Sequence, residues 1–266
     1  MRKIGVEELR ELQMQLLDYV DAFCRKHDIK YTISGGTLLG AIRHGGYIPW
    51  DDDMDIQMLR EEYNKFTYLW NKEKSEHPYE LVNIESGNSM GYPFGKIHNP
   101  KTVTYIGKLE RTGIFIDLFP VDYVKDKEDF TNRHAQVLRL SKQRAHLFDK
   151  MRLRHEPFNI KLWYLFLRNG APRTTYNQIA EEINNIAMMV KEPNSPLVYE
   201  MIAGTKCKHP IPSEVFKEYA DISFENRTYM SIKDYDTYLT LTFGDYMTPP
   251  PAAEREKHQF HPYWRD

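Results

Sequence analysis

An α/β protein of the α+β kind is predicted, a mixed α/β half followed by a mostly helical half. Three observations predict it. Between residues 6 and 28 the apolar positions Val6, Leu9, Leu12, Leu16, Val20 and Phe23 recur at steps of three and four, the period of an amphipathic helix. From 79 to 119 the chain turns into short β-rich runs punctuated by Gly, Asn and Pro. From 128 onward helical stretches return.

Each element has its own signal. After the first helix, "YTIS" (31–34) is a short β-rich run stopped by Gly35 and Gly36. "TLLGAIRHGG" reads as a short helix closed by glycines. "DMDIQML" (53–59) alternates as a strand, and "REEYNKFTYLW" (60–70) reads as the helix behind it. "YELVNI", "PFGKIH", "TVTYI" and "GIFIDLF" are the β-rich runs. Helices are expected over 128–148, 159–168, 176–191 and 234–243, with a proline-marked loop region around Pro193, Pro196, Pro210 and Pro212. No repeat or low-complexity tract is present.

Composition narrows the function classes. The 266 residues are 41% hydrophobic and 28% charged, the balance of a globular chain with a sizeable core. A formal net charge of −2 implies no general polyanion-binding surface, so no nucleic-acid partner is expected. Cys24 and Cys207 give no disulfide framework and fit a reducing compartment. "MRKIGVEELR" has no apolar signal-peptide core, and the apolar run "LWYLFL" (162–167) is far too short to span a bilayer. The expected location is therefore cytoplasmic, with room for peripheral contact at the inner face of a membrane.

The candidate chemistry sits in "IPWDDDMDI" (48–56), which carries Asp51, Asp52, Asp53 and Asp55. Two carboxylates about 6 Å apart repel by roughly 2–3 kcal/mol at an effective dielectric of about 20. On a strand Asp53 and Asp55 point to one face, roughly 7 Å apart at Cα, while Asp52 points the other way. Two carboxylates so placed can bind a hard divalent cation through oxygen, although exposed strands often alternate acids without one. Three neighbours favour the cation. "SGGT" (34–37) is a Gly-Gly turn at a helix N-terminus, where free N–H groups suit a phosphate. Asp117 interrupts the apolar run "GIFIDLFP" and needs a partner if buried, either the cation or a core hydrogen bond. Arg43, His44 and Lys96 could neutralise phosphate oxygens, or be solvated surface charges. Together these residues point to phosphoryl or nucleotidyl transfer.

The stretch "GGTLLGAIRHGGYIPWDDDMDIQMLREEYNKF" (35–66) closely resembles the signature of the LicD family of phosphotransferases, of which fukutin and fukutin-related protein are distant relatives. "GIFIDLFPVDYV" (113–124), "YDTYLTLTFGDYMTPPP" (235–251) and His258 match in order, so the resemblance spans roughly residues 10 to 260. It implies a nucleotidyltransferase-type fold, a small mixed sheet flanked by helices. The catalytic core would be 1–124, and 125–266 would form a mostly helical acceptor-side region returning to the site near 224–258. It also implies Asp53, Asp55 and Asp117 as catalytic and metal-binding residues for Mg²⁺ or Mn²⁺. Gly35, Gly36, Thr37, Arg43 and Lys96 would hold the donor. The implied reaction moves a phospho-alcohol, phosphocholine above all, from CDP-choline or another CDP-alcohol, with release of CMP. The acceptor would be a hydroxyl of a cell-surface glycan, a lipid-linked glycan or a teichoic acid precursor. A nucleotidyltransferase that uses an NTP to modify a protein or small molecule would need the same three aspartates. One stretch departs from the family pattern: "FENRTYMSI" (224–232) lacks the expected glycine and proline, with Glu225 in the matching place.

Weaker signals remain. Cys207 and His209 form a single C-x-H, more readily a loop than a zinc site. "RLRHEPFNIKLWYLFLRN" (152–169) mixes cations and aromatics, and could rest on an anionic membrane or simply pack into the core. Tyr47, Trp50 and Tyr92 are candidates for an aromatic cage around a quaternary ammonium.

Overall fold

The computed structural model describes residues 1–86, 91–106, 109–110, 112–153, 176–202, 209–251, 253, 255 and 261–266. The expected helix at 159–168, most of the cationic-aromatic stretch, Cys207 and His258 lie outside the described residues. Six helices are described: α1 (Val6–Lys26), α2 (Gly35–His44), α3 (Arg60–Lys72), α4 (Lys127–Leu153), α5 (Tyr176–Ala187) and α6 (Tyr235–Phe243). The mixed sheet that carries the site has the order β1 (Thr32–Ile33), β2 (Asp55–Leu59), β7 (Phe115–Val124), β4 (Gly95–His98), β3 (Glu80–Val82). Strands β8 (Leu197–Tyr199) and β9 (Ile211–Pro212) continue it from the far end of β7. Strands β5 (Thr102–Ile106) and β6 (Leu109–Glu110) form a small sheet with β12 (Pro262–Trp264), and β10 (Tyr219–Phe224) and β11 (Arg227–Ile232) form a hairpin. The α+β class is as expected. Among its described residues the C-terminal half adds five strands to its helices, and two of them join the main sheet.

Alternation along the strands separates two faces. Ile56, Met58, Ile97, Ile116 and Leu118 are fully buried on one. They share a core with Leu16, Leu17 and Val20 of α1 and with Tyr63, Phe66 and Trp70 of α3. Phe23 ties the two helices, with ring centroids 5.4 Å from Phe66 and 5.1 Å from Trp70. The opposite face carries Asp55, Gln57, Lys96 and Asp117. A run that is polar on one face and apolar on the other can be placed only one way, because a one-residue slip would bury the carboxylates in the core.

Helices α4 and α5 build a second core with Val124 and Tyr199 around Phe130, Val137, Ile179 and Ile183. Its junction with the first is ionic. Arg60, at the start of α3, holds Asp122 of β7 through two bonds, Nε at 2.7 Å and Nη2 at 2.9 Å. Its Nη1 donates to Asn184 of α5 at 3.1 Å. Asp122 is 1% exposed, and burial pushes its carboxyl up against the pull of Arg60. Among the described residues no helix is long and apolar enough to cross a membrane.

Truncating Arg60 would strand a buried carboxylate without its counter-charge, which costs about 3–5 kcal/mol in comparable buried pairs. Arg60→Ala is expected to lower urea-unfolding stability by about that amount, and a loss below about 1 kcal/mol would show that the pair does not join the two cores.

Candidate active site

Parallel pairing of β2 with β7 sets Asp55 directly beside Asp117. The ladder begins one residue earlier, where the Asp117 N–H donates to the Met54 carbonyl at 2.9 Å. Asp53 therefore precedes the strand rather than lying in it, yet Asp53 and Asp55 still open into one cavity, joined by Asp51. Asp52 does not line it. It is 8% exposed, and its carbonyl accepts from Gln13 Nε2 of α1 at 2.9 Å.

Antiparallel pairing on the other side of β7 sets Lys96 opposite Asp117. The Lys96 ammonium bonds Asp117 Oδ1 and sits 3.7 Å from the centroid of the Phe115 ring. The partner that a buried Asp117 requires is thus Lys96, which leaves Lys96 less available to phosphate than the sequence indicated. Loss of water raises the Asp117 proton affinity, Lys96 opposes the rise, and Asp53 adds to it. At Asp55 burial raises the carboxyl well above its ordinary range, with further pushes from Asp53, Asp117, Glu200 and Asp51.

The glycine turn packs against these acids. Gly35 and Gly36 form the first turn of α2, and Gly35 has φ +53°. A Cβ on Gly36 would lie 2.6 Å from Asp51 Oδ2, and one on Gly35 3.3 Å from Asp55 Oδ2. The glycines let a helix N-terminus, with its partial positive charge, approach carboxylates closely. The Gly35 N–H is taken by the Tyr238 hydroxyl at 3.3 Å. Thr37, expected beside the donor, is 5% exposed, and its hydroxyl accepts the Asp55 N–H at 2.9 Å. It orients the acid from behind.

The cavity measures about 470 Å³. One wall is the α2 face with Gly36, Leu39 and Arg43, and another comes from the end of α6 and the segment after it, with Phe243, Tyr246 and Arg255. Arg43 Nη1 donates to the Tyr246 carbonyl at 2.8 Å, tying the walls together. Arg255 lies over the Trp50 ring, 4.1 Å from its centroid, and its Nε donates to the Pro250 carbonyl at 3.2 Å. The lining thus brings together four carboxylates, Asp51, Asp53, Asp55 and Asp245, two guanidinium groups and the Trp50 ring. Of the proposed cage, only Trp50 lines this cavity; Tyr47 is buried with the Arg10 guanidinium 4.7 Å from its ring, and Tyr92 faces Lys96.

Two residues of this region escaped the sequence reading. Arg255 had no periodicity or motif to mark it. Glu200 did carry a signal, the one that singled out Asp117: an acid ending the apolar run "LVYEM". It is 8% exposed, bonds the Gln57 side-chain amide, and its carboxyl is pushed up to about 8 by burial, with Asp117 and Asp122 adding to the shift. Among the described residues no group of three or more His, Cys, Asp or Glu side chains is gathered as a ready-made metal site.

Glu200 makes a pH prediction. The folded protein keeps its proton up to about pH 8, whereas an unfolded glutamate releases it near pH 4.3 or so. The folded state binds the extra proton between these values, so this contribution to stability is lost as pH rises through about 8. Glu200→Gln is expected to raise the melting temperature over wild type increasingly from about pH 5 to pH 8.5; thermal melts with a pH-independent difference would refute the buried neutral acid.

Residues 28–158 match the family model described as the LicD/FKTN/FKRP nucleotidyltransferase domain. Over 97% of both chains the sequence is 29% identical to the lipopolysaccharide cholinephosphotransferase LicD of Haemophilus influenzae. A stretch of 44 residues, 16% of this chain and 9% of the relative, is 43% identical to the human ribitol 5-phosphate transferase FKRP. An uncharacterized protein of Rickettsia typhi is 41% identical over 70 residues, 26% of this chain and 23% of that one. The matched region contains Asp53, Asp55, Lys96 and Asp117, the residues that meet at the cavity and on the polar face of the sheet behind it. With that site inside the matched region, residues 28–158 carry a LicD-family nucleotidyltransferase domain, and the chain is similar from end to end to a cholinephosphotransferase of that family.

Proposed function

We propose that this protein transfers a phospho-alcohol, phosphocholine in the first instance, from a CDP-activated donor to a hydroxyl of a cell-surface glycan, a lipid-linked glycan or a teichoic acid precursor. The observation that carries the reading is the single cavity that brings Asp51, Asp53 and Asp55 together with Arg43 and Arg255, carboxylates for a cation beside guanidinium groups for an anionic donor. The end-to-end likeness to a cholinephosphotransferase supports phosphocholine as the group moved. A cytoplasmic enzyme that meets its acceptor at the inner membrane face is part of the same reading.

The donor set fits a hard cation in kind, being carboxylate oxygens whose mutual repulsion a divalent charge would offset. Asp53, Asp55 and Asp117 would hold Mg²⁺ or Mn²⁺, which supplies Lewis-acid charge to the pyrophosphate oxygens when bound. The protein's own groups do the rest. The first turn of α2, with the Gly36 amide, faces donor phosphate oxygens. Arg43 and Arg255 bind the anion, with Arg255 held over the Trp50 ring. The acceptor oxygen forms a bond to the phosphorus that carries the alcohol. The bond from that phosphorus to the bridging oxygen breaks, CMP leaves, and the hydroxyl proton passes to a carboxylate of the aspartate cluster. Lys96 holds Asp117 in place through their ion pair.

The test is CMP release from CDP-choline or CDP-ribitol with Mg²⁺ and a glycan acceptor. Asp53→Asn and Asp55→Asn are expected to lower turnover by about 10³-fold or more while the fold persists, because each removes charge that acts on the reacting phosphate. Asp52→Asn, outside the cavity, should cost far less. Release of pyrophosphate from an NTP, with no CMP from any CDP-alcohol, would overturn the reading in favour of nucleotidyl transfer. A second measurement concerns the two arginines: Arg43→Ala and Arg255→Ala should each raise KM for the donor about 10–100-fold, the worth of one charge-assisted hydrogen bond. An unchanged KM in both would remove the two guanidinium groups from donor binding.

A further inference from the structure

The segment that joins α2 to the aspartates, residues 45–53, is held from outside by one residue at the tip of the β10–β11 hairpin. Phe224 pairs with Arg227, so Glu225 and Asn226 form a two-residue turn. Glu225 has φ +52°, a conformation glycine adopts freely and a glutamate rarely does. Its contacts give a reason for a glutamate in a glycine's place. The Glu225 N–H donates to the Gly45 carbonyl at 2.7 Å, and Glu225 Oε1 accepts the Tyr47 N–H at 3.0 Å. Between these two bonds the side chain lies across Gly46, where a Cβ would stand 2.2 Å from Oε1 and 2.8 Å from Cγ. On the other side of the loop Gly46 N–H donates to the Gly40 carbonyl of α2 at 3.3 Å, and a Cβ on Gly40 would lie 2.3 Å from the Gly46 oxygen. The peptide is gripped between α2 and the hairpin with no room for a side chain at either glycine.

The grip propagates. The Tyr47 hydroxyl donates to the Arg10 carbonyl at 3.2 Å and to Gln13 Oε1 at 3.1 Å. Arg10 Nη2 in turn donates to the carbonyls of Ile48 and Asp51 at 3.2 and 3.0 Å. Every few residues from Gly45 to Asp52 the backbone is bonded to α1, α2 or the hairpin, and the chain then delivers Trp50, Asp51 and Asp53 to the cavity. Glu225 binds the loop backbone with a carboxylate that comes from outside the loop.

We propose that Glu225 is a positioning residue: its carboxylate and backbone clamp the Gly45–Gly46–Tyr47 peptide and thereby fix where Trp50, Asp51 and Asp53 meet the donor. For its effect on rate this rests on the proposed phospho-alcohol transfer; its effect on the loop does not. Three variants separate positioning from general stability. Glu225→Gly suits the backbone at φ +52° and removes the carboxylate half of the clamp while keeping the N–H bond to Gly45, so its melting temperature should match or exceed wild type. Its kcat should nevertheless fall about 100-fold, the cost of displacing a reacting group by about 1 Å, with a smaller change in donor KM. Glu225→Ala should lose the same activity with some stability as well. Glu225→Gln keeps an oxygen for the Tyr47 N–H and should restore most of the rate. Hydrogen exchange measured without any donor should speed up over residues 45–53 in the Gly and Ala variants and not in Gln. Unchanged exchange in Glu225→Gly, or faster exchange with unchanged kcat, overturns the proposal. If the wild-type chain turns over no CDP-alcohol, the proposed reaction falls, and exchange alone then decides whether Glu225 holds the loop.

Discussion

Two carboxylates side by side on neighbouring parallel strands are the constraint around which this structure is arranged. Asp55 and Asp117 share a register position on the polar face of the main sheet, within the field of Asp53 and Glu200. Such a row is costly away from water. The surrounding architecture offsets the cost from several directions. Lys96 faces Asp117 from the next strand, and the helix α2 turns its positive end toward Asp51 and Asp55. Removal of side chains from Gly35 and Gly36 permits the approach.

A second level of organisation keeps the acids in place. The polar face has to stay in register with the apolar one, and the buried Ile56, Met58, Ile116 and Leu118 enforce that register through the core beneath α1 and α3. The acidic segment itself is not part of the sheet. It depends on bonds from α1 through Arg10 and Gln13, from α2 through its glycines, and from the β10–β11 hairpin through Glu225. Elements distant in sequence therefore converge on nine residues. The C-terminal segment closes the same cavity with Tyr246 and Arg255, so the site requires both ends of the chain.

Much of this was legible in the sequence. The helical period of 6–28, the β-rich runs and the alternation in "DIQML" correspond to α1, β3–β5, β7 and β2, because burial on one face imposes its period on the residues. The acids stood out for an equally local reason: a charge interrupting an apolar run is expensive, and Asp117 announced itself that way. The hairpin left a fainter trace. "YADISF" and "RTYMSI" flank Glu225–Asn226, a pair with no glycine to signal a two-residue turn.

What the sequence determined by itself, then, was the class of fold, the acidic cluster and the family pattern, all of which are carried by neighbouring residues and their periodicity. Tertiary structure decided the pairings. That Asp117 faces Asp55 on one side and Lys96 on the other follows from strand register, which links residues 21 and 62 positions apart. That Thr37 supports Asp55 rather than a ligand, that Arg255 reaches Trp50, and that Glu225 grips Gly46 depend on how remote segments pack. Those contacts arise only when the whole chain has buried its apolar face, because no local preference of the backbone encodes a partner some two hundred residues away.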